Sequence, residues 1–340
     1  MPDWKEEKVK PGFYSERIPD WMERFLDAPE LFRLSKVGMD CGCEYTSFER
    51  FQVGSPYSRY EHSLGCALIV WRFTGSVEQS LSALFHDIAT PVFAHTVDFL
   101  NGDHIRQEST EEGTAELIRN SEEIMKSLNE LGIDDETVTD YHRYPIADNE
   151  APKLSSDRLE YALTNAVRYG FLSIEEAKEC LEDIVVSADT EGVPELSFRN
   201  DGKARSFAYA VLSCSKIYVS DEDRYSMQRL AELLKKAMER GILQKKDLYR
   251  TEEEIIGRME ADEVLSKAWR DFRALSFMIK DPADMPKEWT RIIPAKKRYI
   301  DPLTGGMRLS ETDAAFAAAV KEYLNEPQDR PVCGISGKEE

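Results

Sequence analysis

Apolar residues recur at helical spacing along most of this chain. Trp21, Phe25, Leu31 and Leu34 mark residues 20–36. Leu64, Ala67, Leu68 and Trp71 mark 60–73, closed by Gly75, and Val77, Leu81, Leu84, Phe85 and Ile88 mark 77–88, stopped by Pro91. The same period predicts helices over 105–119, over 122–131 up to Gly132, and over 156–169 up to Gly170. Ser173-Ile-Glu-Glu176 is a capping box that opens a further helix. The pattern then changes. Val185-Val186 and Leu196-Ser-Phe198, separated by Gly192 and Pro194, predict a short β-hairpin. Helical spacing returns over 203–219 and 221–240, after the capping box Thr251-Glu-Glu-Glu254, near 262–278 and near 311–324. Between the last two lies a Pro-broken stretch, 289–302, with β-like Ile292, Ile293, Tyr299 and Ile300; its Lys296-Lys-Arg298 reads as a solvated charge run. The pattern predicts an all-α protein: a helical unit over 1–200 carrying the hairpin, a second mainly helical lobe over 201–330, and a frayed tail over 331–340.

Composition narrows the function classes. The chain has 340 residues, 41% hydrophobic and 32% charged, enough to bury a sizeable core. With 44 basic against 64 acidic residues, its formal charge is −20, which argues against a nucleic-acid binder and against docking on anionic membranes. No apolar stretch approaches the length of a membrane span, and the N-terminus has no apolar signal core, so a cytoplasmic location with reduced cysteines is expected. Cys41-Gly-Cys43 has no second close Cys or His pair to complete a thiolate site.

The five histidines, His62, His86, His95, His104 and His142, all fall within residues 62–142. Three segments stand out: Arg59-Tyr-Glu-His62-Ser-Leu-Gly65, Phe85-His86-Asp87, and Ser156-Asp157-Arg158-Leu-Glu-Tyr161. Each lies on a predicted helix, so His62, the His86-Asp87 pair and Asp157 can converge inside a bundle. Imidazole nitrogens with carboxylate oxygens suit Mn, Fe, Zn, Ni or Co. Ionisable groups at the end of an apolar helix face are costly unless paired or bound to metal.

These segments resemble the HD-domain phosphohydrolase superfamily, named for its His…His-Asp…Asp metal motif. The resemblance covers about residues 30–170 and is nearest in motif to the deoxynucleoside triphosphate triphosphohydrolase branch, whose Arg-aromatic-Glu-His-Ser-Leu-Gly segment matches residues 59–65. It implies an HD-domain helical bundle with His62, His86, Asp87 and Asp157 as ligands of a mono- or dinuclear divalent centre, with Mg as an alternative metal. Asp87 would bridge a second ion. A bound cation acidifies water and polarises the phosphoryl oxygen under attack. His95 and His104 are the implied catalytic histidines, beside Asp87, or ligands of a second ion. Arg59 and Arg158 are the candidate phosphate contacts, because a guanidinium fork matches phosphate oxygens, and Tyr161 is expected to line the same pocket. His142 reads as an ordinary surface histidine.

The chain departs from the branch at Ala89-Thr90, where the branch has Gly-His; at Gln107-Glu108, where it has His-Glu; and at Asn165, often Asp there. The expected function is therefore a metal-dependent hydrolase of a phosphate ester in a nucleotide or related small molecule. The alternatives are release of triphosphate from a deoxynucleotide, and a catalytically retired metal- or nucleotide-binding regulatory module. Homo-oligomerisation is left open.

Overall fold

The computed structural model describes residues 13–53, 56–102, 113–189 and 191–337. His104 lies outside these residues. Helices make up 57% of the structure. The helix Arg59–Thr74 runs through its centre, buried on almost every side from Arg59 to Val70. Its start is set by a complete capping box. Ser58 Oγ accepts from the Glu61 amide, and Glu61 Oε2 accepts from the Ser58 amide at 2.8 Å. Such a cap is worth about 1 kcal/mol, and it explains the glutamate in the Arg-Tyr-Glu-His segment. Gly75, at φ 64°, ends the helix in the left-handed conformation.

Val77–Phe85 folds back against this central helix, and Ser156–Arg168 packs on its other flank. Ile174–Asp183 and Asp201–Ile217 complete a large core that includes Leu68, Phe85, Leu159, Leu163, Leu181 and Phe207. Both bonds of the Ser173/Glu176 capping box form. The predicted hairpin forms as Ile184–Ala188 paired antiparallel with Pro194–Phe198. It is extended by Leu303–Thr304, parallel to the second strand, and by Met307–Arg308.

A second core gathers Asp221–Glu239, Glu252–Glu260 and Glu263–Arg273 around Leu230, Ile255 and Trp269. It also takes in Val37, Phe48, Val92, Phe93 and Val97, so residues on both sides of position 200 share it. The C-terminal helices thus pack on the segment 92–99 that follows His86-Asp87.

Three expectations change. The helix anticipated over 262–278 stops at Arg273, and Leu275–Met278 is a strand. Residues 331–337 are not a frayed tail: Val332 and Cys333 are buried, and Gly334–Ser336 pairs with Leu275–Met278. Both differences have one cause, a backbone ladder between segments far apart in sequence. Over 289–302 only Arg291 makes a strand-like bridge among the described residues, to Val332.

The C-terminal part is clamped to the site by one buried carboxylate. Glu195, 1% exposed, takes both terminal nitrogens of Arg308 at 2.6 and 2.7 Å and the Leu154 amide at 3.0 Å. Arg308→Ala leaves that carboxylate buried without its counter-charge. We expect a loss of about 3–5 kcal/mol of stability, read by urea unfolding. A change below 1 kcal/mol would show the pair to be dispensable.

Candidate metal centre

His62 lies one turn into the central helix, His86 caps the C-terminal end of Val77–Phe85, and Asp157 sits in the first turn of Ser156–Arg168. Packing of these helices brings the three side chains together. His62 Nε2 lies 3.0 Å from Asp157 Oδ1 and 3.1 Å from His86 Nε2, and His86 Nε2 lies 3.8 Å from Asp157 Oδ1. Two donors each about 2.1 Å from one ion lie roughly 3.0 Å apart at right angles and roughly 3.4 Å apart at the tetrahedral angle. The spacings therefore suit a single divalent cation.

The outer nitrogens fix both rings. His86 Nδ1 donates to the Ala83 carbonyl at 2.7 Å, leaving its Nε2 lone pair toward the cluster. His62 Nδ1 meets Glu160 Oε2 at 2.6 Å. Glu160 is fully buried and accepts further from the Tyr57 hydroxyl, the Tyr14 hydroxyl at 3.0 Å and the Thr164 hydroxyl at 3.1 Å. A carboxylate behind a ligating imidazole orients the ring and raises its basicity. Gly65 makes room for it. A Cβ at position 65 would lie 2.6 Å from Glu160 Cγ and 2.8 Å from Oε1.

Cys66, one turn beyond His62, places Sγ 3.6 Å from His62 Nδ1 and joins the same cluster of metal-competent atoms. Burial pushes its thiol well up, against the lowering influence of His62, so it stays protonated. Burial disfavours the His62 cation, but the sulfur of Cys66, as an acceptor, and above all the Asp157 and Glu160 carboxylates bonded to the ring outweigh it and raise the histidine above its ordinary 6.5. Burial raises Asp157, yet His62 and His86 hold it down at about 2.

Asp87 reaches the edge of the cluster, its Oδ2 3.7 Å from His86 Nε2. That oxygen is held by Arg59 Nη1 at 2.7 Å, and Oδ1 accepts from the Thr90 hydroxyl at 2.6 Å. Burial opposes ionisation, but Arg59, His86 and His62 keep Asp87 far below the usual carboxylate range. Thr90, standing where the resembled branch has histidine, is thus a hydrogen-bond partner of Asp87. Arg59 is buried beside Asp87, which takes its Nη1, while its Nε has no partner among the described residues. Arg158 donates to Asn149 Oδ1 at 2.7 Å and to the Asn149 carbonyl at 2.5 Å, and pairs with Asp148 at 3.3 Å. It ties down the loop before Asp157.

Tyr161 borders the centre, its ring centroid 6.4 Å from that of His62. Tyr141 borders it from the other side, 5.4 Å from the His86 ring. His95 caps the helix Thr96–Asn101 and meets Asp98 Oδ2 through Nδ1 at 2.9 Å. Burial lowers its pKa and the charges of Arg298 and Arg59 add to this, while Asp98 opposes them. The ring is therefore neutral at pH 7, with Nε2 carrying the lone pair. His142 is exposed and meets Asp148 at 3.1 Å. Glu160, Tyr14, Tyr57, Cys66 and Tyr141 are the parts that sequence reasoning missed. The available signal was Glu160 itself, three residues from Asp157 on one helix face, opposite a glycine three residues from His62.

No family model matches the chain. The uncharacterized protein YdhJ of Bacillus subtilis (strain 168) is 27% identical over 215 residues, 62% of this chain and 64% of that protein. The metal-dependent phosphohydrolase cns2 of Cordyceps militaris is 24% identical over 200 residues, 56% of each chain. Both matches thus span less than two thirds of the relative's length. A crystal structure of a phosphohydrolase from Bacteroides thetaiotaomicron superposes over 94% of this chain and 97% of its own, with a TM-score of 0.61 and 13% identity. The two share a fold. No helix among the described residues is long and apolar enough to cross a membrane.

Glu160→Gln keeps the shape and removes the charge behind His62. We expect Mn affinity to fall about 10–100-fold, by calorimetry, and Gly65→Ala to do the same by displacing Glu160. Because the His62 pKa is raised, a proton competes with the cation at Nε2, so wild-type affinity should climb as pH rises through 6.5 and beyond. The climb should start at lower pH in Glu160→Gln. Equal affinity at pH 6 and pH 8 would contradict this account.

Proposed function

We propose that this protein is a metal-dependent phosphohydrolase of the HD-domain superfamily, acting on a phosphate ester of a nucleotide or related small molecule. One observation carries the reading. His62 Nε2, His86 Nε2 and Asp157 Oδ1 face one another at 3.0–3.8 Å, with the far nitrogen of each imidazole anchored. The fold shared with a phosphohydrolase and the relative named as a metal-dependent phosphohydrolase support it. A cytoplasmic setting agrees with six free cysteines.

In this reading His62, His86 and Asp157 hold the cation, and Asp87 completes the set while keeping Arg59 as its partner. A divalent cation held there polarises the phosphoryl oxygens and acidifies water. The chain's own residues do the rest. Glu160 holds the His62 ring in place. Arg59 and Thr90 keep Asp87 ionised and aimed at the cluster. The neutral His95 moves a proton at Nε2, taking it from the attacking water or returning it to the leaving oxygen. Attack by water on phosphorus breaks the P–O bond and releases an alcohol and a phosphate. Tyr161 and Tyr141 wall the substrate's approach.

A second reading, a retired binding module, draws on Thr90. Its hydroxyl occupies Asp87 Oδ1 where the resembled branch places a histidine.

Product analysis separates the two. The purified protein is incubated with ribo- and deoxynucleoside mono- and triphosphates, each with Mn, Co or Mg. The proposal expects release of orthophosphate or triphosphate by the wild type and background levels in His86→Ala, whose circular dichroism stays helical. Undiminished turnover in His86→Ala, or no product from any mixture with Mn bound, would overturn it.

A further inference from the structure

The turn from Asp87 to His95 is held in a conformation that its residues disfavour. Phe93 and Ala94, at φ 58° and 39°, are left-handed without being glycine, and among the described residues only Cys41 shares this. A side chain in that region crowds its own backbone, so the conformation persists only where the surroundings impose it. The turn matters because of its ends. Thr90 bonds Asp87 Oδ1 at 2.6 Å near one end, and His95 at the other caps Thr96–Asn101 and meets Asp98. The dihedrals at 93 and 94 therefore set where the His95 ring stands relative to Asp87.

The group that imposes them comes from the C-terminal helices. Glu252, the first residue of the helix Glu252–Glu260, is an acid only 4% exposed. Its Oε1 accepts from the Gly38 amide at 2.9 Å and from the Phe93 amide at 3.4 Å. Its Oε2 accepts from the Tyr45 hydroxyl at 2.7 Å. Tyr45 in turn stands edge-on to the fully buried Phe93 ring, the centroids 6.2 Å apart. One carboxylate thus fixes the Phe93 backbone directly and its side chain through Tyr45. The Leu248 carbonyl adds a hold on the Val92 amide at 2.8 Å. Gly38 bridges to Ser58, and the Val37 carbonyl accepts from the Arg59 amide at 2.9 Å. Glu252 therefore ties the turn to the start of the helix that carries His62. A buried acid is costly unless its oxygens are bonded, and these three partners all belong to segments that frame the metal centre.

We propose that Glu252 is the positioning residue of this turn: by accepting from the Phe93 amide it keeps Phe93-Ala94 left-handed and so fixes His95 relative to Asp87. The inference rests on the phosphohydrolase reading, in which His95 moves the proton. What the turn needs from position 252 is an acceptor, so glutamine, which keeps the oxygen and the volume, should serve in its place.

The test uses the full chain loaded with Mn and the nucleotide of the panel that the wild type turns over fastest. Glu252→Ala should lower kcat at least tenfold, with KM within twofold and Mn affinity within threefold of wild type. Glu252→Gln should recover most of that loss. Ala94→Gly added to Glu252→Ala should recover part of it, because glycine adopts a positive φ without the Cβ clash. Histidine ring signals in NMR, with His95 identified by its loss in His95→Gln, should show His95 displaced in Glu252→Ala and restored in Glu252→Gln. A helical Glu252→Ala with wild-type kcat and unmoved His95 signals would overturn the inference, as would Glu252→Gln as slow as Glu252→Ala. Failure of the phosphohydrolase reading looks different: the wild type releases no product from any nucleotide, while the His95 signals still move in Glu252→Ala.

Discussion

The site depends on one buried carboxylate. Glu160 has no access to water, so it persists as an acceptor only because Tyr14, Tyr57, His62 and Thr164 surround it with donors. Those donors come from four parts of the fold: the N-terminal segment, the turn before the central helix, that helix itself and Glu160's own helix. Satisfying one acid therefore sets the approach of two helices and the angle of the His62 ring. Gly65 is the steric condition for this. Any side chain there would occupy the space of the Glu160 carboxyl.

A second layer of charge pairing makes the centre rigid before any ligand arrives. Arg59 and Thr90 hold both oxygens of Asp87, and Arg158 holds the loop that presents Asp157. Arg33 adds to this from below. Its Nη2 donates to the carbonyls of Ile88 at 3.1 Å and Thr90 at 2.7 Å, bracketing the turn after His86-Asp87. Burial lowers this arginine to about 10, with Arg59 adding to the fall and Asp87 opposing it, which keeps it charged at neutral pH. Arg33, Arg59 and Arg158 thus each brace a segment that carries a candidate ligand.

Much of this was legible in the sequence, because it is local. The helices over 59–74, 77–85 and 156–168 follow from apolar spacing, caps and stop residues, and the three motif segments lie on them as expected. The convergence of His62, His86 and Asp157 follows from the motif order. Other features depend on pairing across long separations. Leu275–Met278 continues a helical pattern in isolation and becomes a strand only because Gly334–Ser336 lies beside it. Arg59 and Arg158 were read as phosphate contacts from the guanidinium fork alone, and sequence does not show that Asp87 and Asp148, from other parts of the chain, also meet them. Glu160 received no role of its own within the Asp157–Tyr161 segment. Its importance appears only when Gly65 is seen to face it. His104 lies outside the described residues.

The most direct measurement is anomalous diffraction from crystals of the full chain soaked in Mn. This account predicts a strong peak bonded to His62 Nε2, His86 Nε2 and an Asp157 oxygen, with Asp87 at its edge. Crystals that hold Mn elsewhere, with His62 and His86 still in direct contact and no peak between them, would contradict it.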